Sequence, residues 1–266
     1  MFDIEFKRIK PIEIIHKLSD TNNAVVFSIK AMLDGEEIKC YLKILKLFRH
    51  NNEIELLTQK HPFSSGLIEY DKPQRYIVYE EAPGEGYLYT SPDKKSEVIR
   101  SSATMLKNIH HVNFDKQSRR NVKVEAEKES IKKAKLCERL PCIAEYVDKY
   151  EDVGGDYSFI HGDYHVFNLM FDENSRVISV IDWEFCGLYY KEYDIAYAVA
   201  PRRNLYSTLE DVKLFLEAYG EPFNRERFLY FYYATACYTF RGRERCSDED
   251  FLKVVSDVGA FIRSGE

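Results

Sequence analysis

The chain of 266 residues has few glycines (12) and prolines (8), six cysteines and a single tryptophan, Trp183. So little of the two residues that punctuate loops, with no internal repeat or low-complexity tract, sets it among globular proteins long enough to bury a sizeable core. No apolar run approaches the length of a membrane span, and the opening Met-Phe-Asp-Ile-Glu-Phe-Lys-Arg lacks the basic-then-apolar order of a signal peptide. The expected location is the cytoplasm, with no membrane partner. Cys40, Cys137, Cys142, Cys186, Cys237 and Cys246 make no close pairs at zinc-ligand spacing, which points to reduced and mostly buried thiols. An excess of basic charge is missing too. Residues 1–150 carry 26 basic and 23 acidic side chains and residues 151–266 carry 12 and 21, a net of plus three against minus nine. That balance argues against a nucleic-acid partner, which needs a basic face, and is compatible with a cationic small substrate.

What is present centres on the stretch from Ser158 to Ala198. It reads Ser-Phe-Ile-His-Gly-Asp-Tyr-His-Val-Phe-Asn-Leu-Met-Phe, then a short turn and Val-Ile-Ser-Val-Ile-Asp-Trp-Glu, and later Tyr-Asp-Ile-Ala-Tyr-Ala. Asp163 and Asn168 stand five apart, the spacing of the base and the metal-ligating Asn in a kinase catalytic loop, and Asp182 follows on a second apolar strand. Transfer of a γ-phosphoryl group requires a protein to orient a nucleophile, hold one or two Mg²⁺ ions and neutralise charge on the group in flight. Hard Mg²⁺ takes oxygen ligands, and the Asp182 carboxylate and Asn168 amide oxygen are the candidates. Met170, Phe171 and the run from Val177 to Ile181 predict a tight hairpin around Asp172, Glu173 and Asn174 that brings the two ligands close. Asp163 then faces the substrate nucleophile. Trp183 reads as core.

A rival chemistry for the same stretch is a metal-dependent hydrolase. His161, Asp163 and His165 alternate, so an extended backbone would turn all three one way to bind Zn²⁺, with His110 or His111 as a further ligand. His-x-Asp-x-His without a further ligand motif is a weak signal.

Toward the amino terminus, Ile12–Leu18, Ala24–Leu33 and Ile38–Leu45 read as strands of an antiparallel sheet, with Asp34-Gly35 a hairpin turn. The turn between the first two, Ser19-Asp20-Thr21-Asn22-Asn23, lies where a loop covering phosphates would lie. It contains no glycine, so phosphate contact would fall to the hydroxyls of Ser19 and Thr21 and to backbone amides around Asn22, with an ordinary hairpin turn as the equal alternative. Lys43 sits inside the third strand, and the helical spacing of Asn51–Gln59 carries Glu53 and Glu55. A helix carboxylate paired with a strand lysine that also touches the α and β phosphates is a recurrent kinase arrangement; Glu53 is the first choice and Glu55 the fallback. Gly66–Tyr70 and Arg75–Tyr79 supply two more strands around the turn Asp71-Lys72-Pro73-Gln74. Glu80-Glu81-Ala82-Pro83-Gly84 then reads as a hinge, where the extended backbone before Pro83 offers the main chain of Glu80 and Ala82 to an adenine.

Beyond the hinge the periodicity turns helical. Val98, Ile99, Ser102, Ala103, Leu106, Ile109 and His110 follow three-and-four spacing, with His110 expected as a satisfied core histidine. Asn121–Tyr150, with Lys and Glu interleaved and broadly helical up to Pro141, reads as a solvated helical insert, a plain exposed helix in preference to a lid over substrate. Helices are predicted from Tyr193 and over Leu209–Tyr219 and Arg227–Phe240. Arg202-Arg203 and the run from Arg241 to Arg245 are basic exceptions in an acidic half, expected to pair with nearby acids rather than bind an anionic substrate.

His161-Gly162-Asp163-Tyr164-His165-Val166-Phe167-Asn168, Val180-Ile181-Asp182-Trp183-Glu184 and Tyr193-Asp194-Ile195-Ala196 together resemble the aminoglycoside phosphotransferase and choline kinase superfamily of small-molecule kinases. The resemblance implies an α+β, protein-kinase-like fold with two lobes: a small antiparallel sheet over residues 1–81, and a mainly helical lobe over 82–266 that carries the catalytic loop and substrate site. It also implies phosphorylation of a small molecule by ATP or GTP with Mg²⁺. By resemblance, Asp163 is the catalytic base, Asn168 and Asp182 the metal ligands, Lys43 the phosphate contact and Asp194 a structural partner of the catalytic segment. Asp-Trp-Glu stands where protein kinases have Asp-Phe-Gly, and no activation segment ending in Ala-Pro-Glu follows, which disfavours a protein substrate. The acidic second half leans toward an aminoglycoside-like acceptor, with choline, homoserine, macrolide or sugar alcohols as alternatives. The opposing class is a nucleotide-binding regulatory protein without turnover, against which the intact Lys43, Asp163, Asn168 and Asp182 argue.

Overall fold

The computed structural model describes residues 4–46, 51–87, 92–114, 128, 131–201, 205–241 and 249–265. Five strands open the chain: β1 (Ile9–Asp20), β2 (Ala24–Leu33), β3 (Glu36–Leu45), β4 (Leu67–Asp71) and β5 (Tyr76–Glu80), with helix α1 (Asn51–Gln59) between β3 and β4. They form one antiparallel sheet in the order β1-β2-β3-β5-β4. Asp34 (φ 53°) and Gly35 (φ 91°) both take the left-handed backbone of a tight hairpin turn between β2 and β3.

Alternation along β3 sorts its side chains onto two faces. Cys40 and Leu42 join Ile29, Ala31, Ile68 and Val78 in a cluster covered by Ile4 and Phe6. Leu45 faces the other way, where Ala24, Ile77 and the α1 residues Ile54 and Leu57 pack together. Lys43 has the same parity as Leu45, so the strand aims its ammonium group toward α1. The first strand starts at Ile9, three residues earlier than its apolar run. It holds Pro11 because β1 is an edge strand whose register breaks between Pro11 and Glu13.

After β5 the chain crosses Pro83-Gly84. Gly84 has φ +97°, and a Cβ there would lie 2.9 Å from the carbonyl oxygen of Phe171, so only glycine lets the crossing run this close to the second lobe. The next two residues form β6 (Glu85–Gly86), which pairs with β8 (Leu169–Phe171), itself paired with β9 (Val177–Val180). The hinge is thereby sewn to the hairpin that follows Asn168. A separate pair joins β7 (Ser158–Ile160) to β10 (Gly187–Tyr189).

The second lobe is built on helices α2 (Lys95–His110), α3 (Lys135–Arg139), α4 (Pro141–Lys149), α5 (Lys191–Val199), α6 (Leu209–Tyr219), α7 (Arg225–Arg241) and α8 (Glu249–Ser264). α2 packs on α6 and α5 on α7. Within α7, Phe228 to Tyr233 are buried without a break, the pattern of a helix enclosed on all sides. Trp183 is buried against Phe63, Phe159 and His161, and its indole N–H donates to the Val180 carbonyl at 2.8 Å. Cys40, Cys137, Cys142, Cys186 and Cys237 are free thiols. No helix among the described residues is long and apolar enough to cross a membrane.

The structure corrects the reading of the interleaved Lys and Glu segment. Residues 115–127, 129 and 130 lie outside the described residues, but α3 and α4 bury Leu136, Cys137, Ile143 and Val147 in the main core of the second lobe. Pro141 starts a helix rather than ending one, because its fixed φ and missing N–H suit the first helical turn. Leu136 is fully buried, so Leu136→Ala is expected to lower unfolding stability in urea by about 2–5 kcal/mol. A loss below about 0.5 kcal/mol, the range of surface substitutions, would return this segment to the solvated class.

Candidate active site

The loop that carries Asp163 is held by buried Asp194 at the start of α5. One of its carboxylate oxygens accepts the backbone N–H of His161 at 2.6 Å and the other that of Gly162 at 2.9 Å. His110 brings Nε2 to 3.5 Å from the same carboxylate while its Nδ1 meets the Tyr219 hydroxyl at 2.8 Å, so this ring belongs to the core. Gly162 takes φ 84°, which turns the chain so that Asp163 emerges into the cleft.

His161 is fully buried and its ring is committed on both sides. Nδ1 accepts the Asp163 N–H at 3.2 Å, and Nε2 therefore carries the proton donated to the Ile181 carbonyl at 2.9 Å. Burial lowers its pKa, which keeps the ring neutral in that tautomer. The hydrolase alternative fails here: His161 braces the loop and has no lone pair left for a metal. Among the described residues no group of three or more His, Cys, Asp or Glu is arranged to hold a metal ion by itself.

Asp163 lines the cleft with His165 Nε2 at 3.6 Å from its Oδ2. Burial acts to raise its pKa, but His165 and the Tyr197 hydroxyl outweigh it and hold the carboxyl below its ordinary value. Asn168 donates its amide N–H to the Asp163 carbonyl at 3.0 Å and to the carboxylate at 3.4 Å, which turns the amide oxygen away from Asp163. The Asn168 carbonyl also accepts the Ile181 N–H at 2.9 Å, so Asn168 and Asp182 stand side by side. Asp182 itself adopts the left-handed conformation, φ 64° and ψ 59°, an unfavourable backbone for a non-glycine residue of the kind that clusters at functional sites.

Opposite, Lys43 Nζ is 3.0 Å from both carboxylate oxygens of Glu53, 3.6 Å from Asp182 and 3.5 Å from Glu184. Burial pulls the lysine pKa down, yet the carboxylates together more than reverse this and hold it above its ordinary value. Burial also raises the Asp182 pKa; Lys43 opposes the rise and Glu184 and Glu53 add to it. Lys43 is thus surrounded by three acids for one base. The pairing partner is Glu53; Glu55 forms no ion pair with Lys43. Helix α1 is fixed in this position by Asn52, whose side-chain amide donates to the Cys186 carbonyl at 2.8 Å.

The β1–β2 turn is less open to a ligand than its sequence implies. The Thr21 hydroxyl receives the N–H groups of Asn23 and Ala24 and donates to the Ala24 carbonyl, each at 3.2 Å, so it staples the turn. Ser19 belongs to β1, opposite Val26. Asn22 is exposed at the tip. Asn23, not singled out from the sequence, reaches across the cleft and donates its side-chain amide to Glu184 at 3.0 Å. At the hinge, the Glu80 N–H is spent on the Gly66 carbonyl at 2.9 Å, and Ala82 is buried. Arg202 and Arg203 and residues 242–245 lie outside the described residues.

Beyond Asp163 opens a cavity of about 310 Å³, bounded by Phe185, Tyr193, Tyr197, Phe231 and Tyr238. Glu184 and these rings were missed from sequence. An acid two residues past Asp182 was the available signal for Glu184, whereas the rings carry none, since aromatic residues in amphipathic helices read as core.

A sequence model of the phosphotransferase enzyme family matches residues 36–231. Among curated proteins no sequence matches the chain. Among solved structures, a macrolide 2'-phosphotransferase type I is similar with a TM-score of 0.63 at 15% identity, covering 94% of this chain and 92% of that one. A streptomycin–ATP–APH(2")-IIa ternary complex gives 0.59 at 16%, covering 94% and 93%. Spectinomycin phosphotransferase APH(9)-Ia with ADP and spectinomycin gives 0.57 at 17%, covering 99% and 94%. At such identities these likenesses establish the shared protein-kinase-like fold.

The geometry of the loop carries its own check: the Asp163 carboxyl, followed by carbon-detected NMR titration, is expected to ionise below the ordinary aspartate range and to move upward in Tyr197→Phe and in His165→Gln. A midpoint above that range in the parent protein would contradict the bracing described. With the matched span reaching from β3 through the Asp163 loop and the Asp182 strand into α7, the chain belongs to the phosphotransferase enzyme family.

Proposed function

We propose that the protein is a small-molecule kinase that moves the γ-phosphoryl group of ATP to a hydroxyl group with the help of Mg²⁺. The observation that carries this reading is the meeting of two half-sites. Lys43, braced by Glu53 on the sheet lobe, faces Asp182, Asn168 and Asp163 on the helical lobe. In the proposed reaction Asp163 orients the acceptor hydroxyl and takes its proton as the new oxygen–phosphorus bond forms; the bond from the γ-phosphorus to the bridging oxygen breaks, and ADP leaves with that oxygen. Held below the ordinary carboxylate range, Asp163 enters the step as the charged form that can accept a proton.

Lys43 would neutralise the α and β phosphates, and the exposed tip at Asn22 with Ser19 and the Thr21 turn would cover them. The Glu80 carbonyl and Ala82 amide would receive the base. Mg²⁺ fits the residues present: Asp182 and the Asn168 amide oxygen are hard oxygen donors, and three carboxylates around one lysine leave negative charge uncompensated. When bound, the ion supplies charge neutralisation for the transferred phosphoryl group.

The ATP and ADP complexes among the structural relatives support ATP as donor over GTP, and a need for ATP is compatible with the cytoplasmic location expected from the sequence. Streptomycin and spectinomycin bound in two of those relatives, and the macrolide in the name of a third, support a small hydroxyl-bearing acceptor. Asp163→Ala is expected to retain the fold and nucleotide binding while lowering phosphoryl transfer by roughly two to four powers of ten, read as acceptor-stimulated ADP release. Unchanged turnover would remove Asp163 from its role.

A further inference from the structure

Two of the buried thiols stand apart from the others. Cys137 on α3 and Cys237 on α7 are 100 residues apart in sequence, yet their sulfurs lie 4.0 Å from one another, with 7% and 5% of the two residues exposed. The Cys137 S–H donates to the Ile131 carbonyl at 3.1 Å, so the hydrogen between the two sulfurs is the one that Cys237 donates to the Cys137 sulfur. That donation outweighs burial and holds the Cys137 thiol below its ordinary pKa, whereas burial pushes the Cys40 thiol up to about 11 and raises Cys186 as well. Thiols that serve only as apolar filler need no such alignment. Here one sulfur is eased toward the thiolate with the second already in contact.

The pair sits behind the cavity wall. Phe231, Ala234, Thr235 and Tyr238 recur at the three-and-four spacing of one face of α7, and all four line the cavity beyond Asp163. Tyr230, Tyr233 and Cys237 recur at the same spacing on another face and meet the segment around α3 and α4. Tyr230 stacks on Tyr150 with centroids 4.3 Å apart, Tyr233 stands edge-on to Tyr146 at 5.5 Å, and Cys237 meets Cys137. Of these three contacts only the sulfur pair can become covalent.

We propose that Cys137 and Cys237 form a dithiol that hydrogen peroxide converts into a reversible disulfide, and that this bond ties α7, with its share of the cavity wall, to α3. The Cys137 thiolate attacks one peroxide oxygen and the O–O bond breaks; the second oxygen leaves as water with the proton the thiol lost, and Cys137 becomes a sulfenic acid. The Cys237 sulfur then attacks the Cys137 sulfur, the S–O bond breaks, and the oxygen leaves as a second water with the Cys237 proton. Two thiols are thereby oxidised by two electrons and one peroxide is reduced to two waters. Burial of both sulfurs selects a small oxidant. Closing the bond brings the sulfurs from 4.0 Å to about 2 Å, a movement shared between α3 and α7. In a reducing compartment such a bond is transient, as in redox sensing, and a thiol reductant reopens it by exchange. Neither the pair nor its oxidation depends on the kinase reading above.

In the test, the full chain is reduced, freed of reductant, treated with a small excess of hydrogen peroxide, alkylated, and digested without reduction for mass spectrometry. The expected product is one peptide pair joined through Cys137 and Cys237, with the thiol count falling from six by two and returning after dithiothreitol. Amide hydrogen exchange over residues 231–238 is expected to slow in the oxidised form and to recover on reduction. Cys142→Ser, at an exposed position, is expected to leave the cross-link unchanged. Cys237→Ala is expected to abolish it and to leave Cys137 as a sulfenic acid that dimedone traps. The mapping needs only the parent protein, so it decides the question even where Cys237→Ala does not fold. Oxidation of Cys142 while Cys137 and Cys237 stay reduced, a bond from either of them to another cysteine, or a cross-link that forms only in urea would each overturn the proposal. Unchanged exchange over α7 with the cross-link in place would overturn its hold on the cavity wall.

Discussion

The ammonium group of Lys43 is the point on which the two lobes converge. It is buried at the inner face of a five-stranded sheet, a position that would expel a lone charge, and it stays charged because Glu53, Asp182 and Glu184 surround it. One of these acids comes from α1 and two from the segment after β9. The same electrostatic demand that keeps Lys43 charged therefore draws the sheet lobe and helical lobe to a common locus. The arrangement is unbalanced, with three carboxylates for one ammonium, and Asp182 feels the excess as a raised pKa that begins with its burial. A site with that surplus is suited to divalent cations carrying a polyphosphate, whose own negative charge Lys43 shares.

Around that locus the scaffold is rigid where chemistry needs precision. Asp194 fixes the loop at His161 and Gly162, and neutral His161 links Asp163 to Ile181, so the proposed base and the strand that ends in the proposed metal ligand Asp182 are joined through one imidazole. The hinge is tied to the same region, because the residues after Gly84 form a strand on the hairpin that follows Asn168. Asn23 bonds Glu184 across the cleft, a contact between the turn over the site and its floor. Motion of the lobes would have to release that bond while leaving the Asp194 anchor intact.

Much of this was legible from local signals. Asp34-Gly35, the five-residue step from Asp163 to Asn168 and the short turn before Val177 each state their geometry within a few residues, and the strand–helix placement of Lys43 and Glu53 follows from two periodicities. Other features depend on partners distant in sequence. The Lys and Glu rich segment reads as solvated, yet Leu136, Ile143 and Val147 find a core assembled from later helices. Thr21 reads as a free donor, but the tight turn consumes its hydroxyl. The cavity wall joins Phe185, two tyrosines of α5 and two rings of α7, and no spacing rule connects those three segments before they fold. Net charge was the least transferable signal: of the acids it counted, Asp211 is spent on a helix cap and an ion pair, and Glu192 on a backbone amide and Arg227, all away from the cavity.

The most direct test of the central claim is calorimetric binding of ATP to the parent protein and to Asp182→Ala, each with and without Mg²⁺. If the surplus of carboxylates around Lys43 is a seat for a metal–nucleotide complex, Mg²⁺ strengthens ATP binding to the parent at least tenfold, about 1.4 kcal/mol, and most of that gain disappears in Asp182→Ala. Equal affinity with and without Mg²⁺ in the parent protein would contradict the account.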